Sequence, residues 1–116
     1  MNSKNKTIES GKNILFLYAQ ITPYLLGCIN HYINHNPNNN ILLIYLDVFK
    51  NLHINSTKRC KLISKKKFKR RKEIQEYAVK FNPDLVLVSG RMDKDYLAIA
   101  KFFANKIKRV TLQDTI

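Results

Sequence analysis

Acidic residues are scarce in this chain: 8 Asp and Glu stand against 21 Lys and Arg in 116 residues, a formal charge of +13. The imbalance is local. Ten of the basic residues fall in the fifteen positions from Lys58 to Lys72, which hold no acid, and the other 11 leave the rest of the chain at only +3. The charge therefore belongs to one segment rather than to the domain. Such a run attracts phosphate-rich partners such as nucleic acid or anionic lipid. It equally describes a solvated loop and helix start in a Lys- and Asn-rich protein.

Long apolar runs are missing too. Ile41 to Leu46 falls far short of the roughly 18 residues a membrane span requires. The first dozen residues are polar and lack an apolar signal-peptide core, so secretion is not expected. Cysteine is limited to Cys28 and Cys60, without metal-ligand spacing, which fits two ordinary thiols in a reduced, cytoplasmic setting. Glycine is limited to three, and none falls in Ala19-Gln20-Ile21-Thr22-Pro23-Tyr24, where a dinucleotide fingerprint would need Gly-x-Gly-x-x-Gly. Tight pyrophosphate binding at that turn is disfavoured, and no phosphate-binding P-loop occurs. His31 and His35 lie four apart without a Glu-x-x-His context, so no zinc site is expected. No Ser/His/Asp constellation can be argued from spacing.

What remains is enough for one domain, since 45% of the residues are apolar. Met1 to Gly11 reads as a loose leader. Asn13 to Ala19, Ile41 to Asp47 and Leu85 to Val88 are short apolar runs bounded by turn residues, the pattern of parallel strands covered on both faces. Cys60 to Ser64 and Arg109 to Gln113 are weaker strand candidates, and Val48 to Thr57 is irregular. Between them lie three amphipathic stretches. Thr22 can cap the first, with Pro23 at its opening position and Leu25, Leu26, Ile29, Tyr32 and Ile33 on one stripe. Asn36-Pro37 closes it. Lys69 to Phe81 turns Ile74, Tyr77, Ala78 and Phe81 inward and stops at Asn82-Pro83, because a residue before proline avoids helical angles. Asp93 to Lys106 turns Leu97, Ala100, Phe103 and Ala104 inward.

Strands alternating with helices predict an α/β chain: one Rossmann-like, three-layer α/β/α domain with a parallel sheet of about five strands in the order 3-2-1-4-5. Ligands of such sheets bind outside the carboxyl ends of the strands, near the switch in strand order. That rule selects Gln20, Thr22, Pro23 and Tyr24 after the first strand, Asp47 after the second, and Ser89, Gly90, Arg91 and Asp93 after the fourth. Each has a plainer reading. Thr22 and Asp93 can be helix caps, Asp47 a turn residue, and Ser89-Gly90 a simple bend.

Several of these motifs, in this order and spacing, are similar to a known pattern. Ile14-Leu15-Phe16, then Ala19 to Tyr24, then Phe81-Asn82-Pro83-Asp84-Leu85-Val86-Leu87-Val88-Ser89-Gly90 with Met92-Asp93-Lys94-Asp95-Tyr96, resemble the amino-terminal domain of bacterial GT-B glycosyltransferases of the retaining family 4, or group 1, type. The resemblance runs from about Lys12 to Asp114. It implies a domain that contacts the acceptor, facing a second, carboxyl-terminal domain that holds the nucleotide-sugar donor and a pair of glutamates. The cleft-lining residues would be Gln20 to Tyr24 and Ser89 to Asp93, and Arg91 stands where the family has an aromatic residue.

The chain ends just after the expected fifth strand, without the donor domain. A fragment, one half of a split enzyme and a degenerate relative are all compatible with that, and no turnover is expected from half a cleft. The implied function is transfer of a sugar to a saccharide or lipid-linked acceptor, with no cofactor in this chain, a donor-domain partner, and a cytoplasmic site peripheral to the inner face of the membrane. Lys65, Lys66, Lys67, Lys69, Arg70 and Arg71 would face the anionic surface. A basic module gripping nucleic acid is the alternative, weakened because Phe68 is the only ring inside the run.

Overall fold

A computed structural model of the chain describes residues 11–50, 52–57, 59–89, 93–107 and the backbone of 110–113. Four parallel strands, β1 (Asn13–Ile21), β2 (Asn40–Val48), β3 (Cys60–Ser64) and β4 (Leu85–Ser89), form the sheet in the expected order β3-β2-β1-β4. β1 is central, with Leu15 opposite Leu42 on one side and Val86 on the other. Among the described residues the helices are α1 (Pro23–His35), α2 (Arg71–Phe81) and α3 (Lys94–Ala104). A short 3-10 turn, Lys65–Lys67, leads from β3 towards α2.

Alternation of side chains along each strand sorts the interior into two clusters. Leu15, Leu17, Leu42, Ile44, Val86 and Val88 pack with α2 and α3 through Ile74, Ala78, Tyr96, Ile99 and Phe103. Ile14, Ile41 and Leu43 pack with Ile29 of α1, and with Leu52 and Ile54 from the irregular segment before β3. Cys60 belongs to this second cluster, where burial pushes its thiol up to about 11 and leaves it an inert apolar group. Fully burying each aliphatic side chain contributes about 1.5–3 kcal/mol.

Local signals explain the helix ends. Thr22 Oγ1 accepts the Leu25 N–H at 3.1 Å, and Pro23 stands at the first turn of α1. At the end of α2, Asn82 takes a left-handed conformation, φ 57°, rather than the extended one usual before proline. Asparagine tolerates that geometry, and its N–H closes on the Ala78 and Val79 carbonyls. Asn13 fastens the same corner to β1, its Nδ2 donating to Phe81 O at 2.8 Å and its N–H to Asp84 Oδ2 at 2.9 Å.

Four expectations need correction. α2 opens at Arg71, not Lys69: Arg70 makes no side-chain cap, and Glu73 Oε1 instead accepts the Lys69 N–H at 2.9 Å. In α3, Ala100 and Phe103 are buried as expected, but Leu97 is 36% exposed and Ala104 exposed, while Tyr96 and Ile99 are fully buried in their place. Tyr96 sets the phase of the helix, because its hydroxyl lies 2.9 Å from both the Tyr18 and Ile44 carbonyls. In α1, Tyr32 points outward, its hydroxyl accepting from Asn39 Nδ2. Met1 to Ser10 lie outside the described residues, but Gly11 is not loose. It sits at φ +69° against the Asn38 backbone, where an added Cβ would meet a carbonyl oxygen.

No helix among the described residues is long and apolar enough to cross a membrane. The Tyr96 hydroxyl has one proton to share between two carbonyls, so its removal loses a buried hydrogen bond. Tyr96→Phe is expected to cost about 0.5–1.5 kcal/mol, read as a lower urea midpoint at unchanged slope.

Candidate functional site

β1 and β2 stay in register to Ile21 opposite Val48, whereas the β1–β4 pairing stops at Leu17 opposite Val88. On the α1 face of the sheet a groove of about 790 Å³ runs from Ile14, Ile41 and Leu85 to this carboxyl end, within the range of small-molecule sites. Gln20, Thr22, Tyr24 and Ser89 line it, with Tyr18, Phe16, Leu85 and Leu87 forming an apolar floor. Four of the residues expected at the lip are therefore brought together from distant parts of the chain.

Their chemistry is mostly that of neutral hydrogen bonding and aromatic contact. Tyr24 is 81% exposed, and its phenol is raised by its contact with the Cys28 side chain. Burial raises the Tyr18 phenol and the nearby Cys28 adds to this, partly offset by the Ser89 hydroxyl. Both phenols remain protonated donors at neutral pH. Thr22 is engaged as the α1 cap, so its hydroxyl oxygen has already taken one partner.

The other expected residues lie elsewhere. Pro23 is exposed at the first position of α1 and does not line the groove. Asp47 is exposed at the end of β2, where its Oδ1 accepts the Val48 N–H at 2.8 Å, the behaviour of a turn residue. Gly90 and Arg91 lie outside the described residues. Asp93 faces α3 and the 3-10 turn: Oδ1 caps Tyr96 N–H at 2.9 Å, and Oδ2 pairs with Lys65 Nζ at 2.8 Å. Asp95 adds a second contact to Lys65 at 3.0 Å, and the ammonium lies 5.7 Å from the centre of the Tyr96 ring.

Lys65 is thus a latch holding the 3-10 turn against α3, not a free cation on an anionic surface. Burial works against its charge, but hydrogen bonds to Asp93 and Asp95 outweigh that and raise its pKa above the ordinary 10.5. Lys66, Lys67, Lys69, Arg70 and Arg71 are exposed, as expected. Phe68 instead packs edge-on to Tyr77, ring centres 5.7 Å apart, which withdraws the one aromatic of the run from any ligand. His31 and His35 stack on α1 with ring centres 4.2 Å apart. No group of three metal-binding side chains occurs among the described residues.

Sequence reading missed the groove floor. It took the fourth strand as covered on both faces, yet Val86 and Val88 are fully buried while Leu85 and Leu87 are only half-buried. The available signal was handedness. Right-handed crossovers send α2 and α3 to the same face, so α1 is the only described helix in the cluster that includes Leu85 and Leu87. Nothing in the spacing signalled the pairing of Lys65 with Asp93, 28 residues away. No protein-family model matches this chain, and no curated protein matches it.

Asp93→Ala removes both a cap and an ion pair and is expected to destabilise by about 2–3 kcal/mol; Asp93→Asn, which keeps a capping oxygen, by about half that. Because the folded state raises the Lys65 pKa, the latch contributes fully below 10.5 and is lost as pH rises through the raised value. The stability gap between the wild type and Lys65→Met should therefore hold at neutral pH and close in strongly alkaline solution, read by urea titrations at each pH.

Proposed function

We propose that this chain is the acceptor-side domain of a GT-B type glycosyltransferase. It presents a saccharide or lipid-linked acceptor to a nucleotide-sugar donor held by a partner domain. In this reading residues 12–116 form a five-stranded sheet of order 3-2-1-4-5 between two helical layers. Backbone pairing of Val110–Gln113 with β4, Val86 opposite Val110 and Ser89 opposite Gln113, supports the fifth strand. The two apolar clusters support the layers.

The observation that carries the function is the convergence of Gln20, Thr22 and Tyr24 with Ser89 on one groove at the carboxyl ends of β1 and β4. There Gln20 and Ser89 supply hydrogen bonds to acceptor hydroxyls, and the Tyr18 and Tyr24 rings supply apolar faces for a sugar ring. The chain's contribution to the reaction is orientation: it fixes the acceptor hydroxyl in near-attack geometry, and the donor domain supplies the activated sugar. Exposed Lys66, Lys67, Lys69, Arg70 and Arg71 support a position against the inner membrane surface, each basic residue contributing about 1 kcal/mol near anionic lipid.

Gln20→Ala and Ser89→Ala are each expected to weaken acceptor-saccharide binding about tenfold, as loss of one hydrogen bond of about 1.4 kcal/mol requires. Titration by NMR chemical shift measures this; wild-type shifts confined to residues outside the groove would sink the reading. Addition of a donor domain and nucleotide sugar should produce transfer that the chain alone does not perform.

A second reading, a basic binding module without catalysis, is favoured by one fact: among the described residues only Lys65 of the run forms ion pairs. It predicts oligonucleotide binding that survives 200 mM salt. The glycosyltransferase reading predicts binding to anionic vesicles and loss of oligonucleotide binding by that salt concentration. Fluorescence anisotropy and vesicle sedimentation separate the two.

A further inference from the structure

At the amino end of the sheet lies a second cavity of about 370 Å³, lined by cations that the glycosyltransferase reading does not use. Arg59, Lys61 and Lys80 line it together with Asn13, Asn40 and Tyr77, and no acid is among the lining residues. Arg59 and Lys61 belong to the basic run in sequence, but their position separates them from its other members. Alternation along β3 puts Cys60 and Leu62 with the α1 cluster and Ile63 with the α2 cluster. Lys61 therefore shares the α2 face, where Lys80 stands in the last turn of the helix.

One atom gives this cavity its direction. Arg59 Nη1 is buried and has no hydrogen-bond partner among the described residues. A guanidinium nitrogen can only donate, so it needs an acceptor, and leaving a buried charged donor unsatisfied is costly. Two nearby acceptors are already engaged: the Phe81 carbonyl takes a bond from Asn13 Nδ2, and Asn13 Oδ1 takes one from Asn40 Nδ2. An anion in the pocket would satisfy the Arg59 donor and its charge together.

We propose that this cavity binds a phosphate oxyanion. The orphaned Arg59 N–H donates to one oxygen, and Lys61 and Lys80 neutralise the remaining charge. The volume exceeds that of a bare phosphate, and Tyr77, Ile41 and Leu42 supply apolar wall, so the pocket also accommodates the small organic part of a phosphate monoester. The site is independent of the glycosyltransferase reading, since none of the polar residues of the Gln20–Ser89 groove lines it, although Ile41 contributes to the wall of both.

The full chain is titrated with inorganic phosphate, and separately with phenyl phosphate, against chloride at matched ionic strength, by calorimetry and thermal unfolding. Saturable binding that raises the unfolding midpoint is expected. Lys61→Gln and Lys80→Gln should each weaken it about fivefold, as loss of one partly exposed charge contact implies. Lys66→Gln with Lys67→Gln should leave it unchanged. Arg59→Met has a double signature: it should abolish the phosphate effect while raising stability in phosphate-free buffer, because it removes the unsatisfied donor. Tighter binding of phenyl phosphate would assign the pocket to a small phosphomonoester, and equal binding to the free oxyanion. No saturable binding by 20 mM phosphate, or equal loss with the Lys66/Lys67 pair, would overturn the assignment. So would binding that persists in both Lys61→Gln and Lys80→Gln.

Discussion

β1 is hydrogen-bonded on both sides, and its nine residues outrun the five of β4. Most of what is particular to this chain follows from that mismatch. Beyond Leu17 the β1–β4 pairing has ended while β1 continues beside β2 to Ile21. On the α3 face Tyr96 reaches two carbonyls, Tyr18 of β1 and Ile44 of β2. On the α1 face Tyr18, Gln20 and Ser89 line the open groove. The longer strand thus carries a buried phenol contact on one face and a ligand-sized opening on the other.

Elements with a strong local signal were legible in the sequence. Thr22-Pro23 and Asn82-Pro83 mark the helix ends they do mark, Cys60–Ser64 is a strand, and the order β3-β2-β1-β4 follows from parallel crossovers. Features decided by partners distant in sequence were not. Hydropathy cannot say that Leu85 and Leu87 lack a full cover, because that depends on which face the crossovers occupy. It cannot say that Tyr96 rather than Leu97 turns inward, because the reward is a pair of carbonyls 52 and 78 residues away. Asp47 and Asp93 illustrate the same limit in reverse. Both follow strand ends, yet neither lines the groove: Asp47 accepts its neighbour's N–H, and Asp93 caps α3 and pairs with Lys65.

The basic run shows how little a charge count says about roles. Read as a string, Lys58 to Lys72 is one feature. In space it divides three ways. Arg59 and Lys61 turn to the amino-end cavity, Lys65 is neutralised by two aspartates, and the exposed group from Lys66 onward leads into α2. Phe68, inside the third group, anchors the chain to Tyr77. A property assigned to the run as a whole averages over three different electrostatic environments.

The seat of Gly11 on the Asn38 backbone ties two distant points of the chain together. Only a residue without a side chain fits there, with Gly11 two positions ahead of β1 and Asn38 two ahead of β2. The opening residues of those strands, Asn13 and Asn40, line the amino-end cavity. A side chain at position 11 would press on the Asn38 carbonyl, so one glycine that does not itself line that cavity bears on its shape.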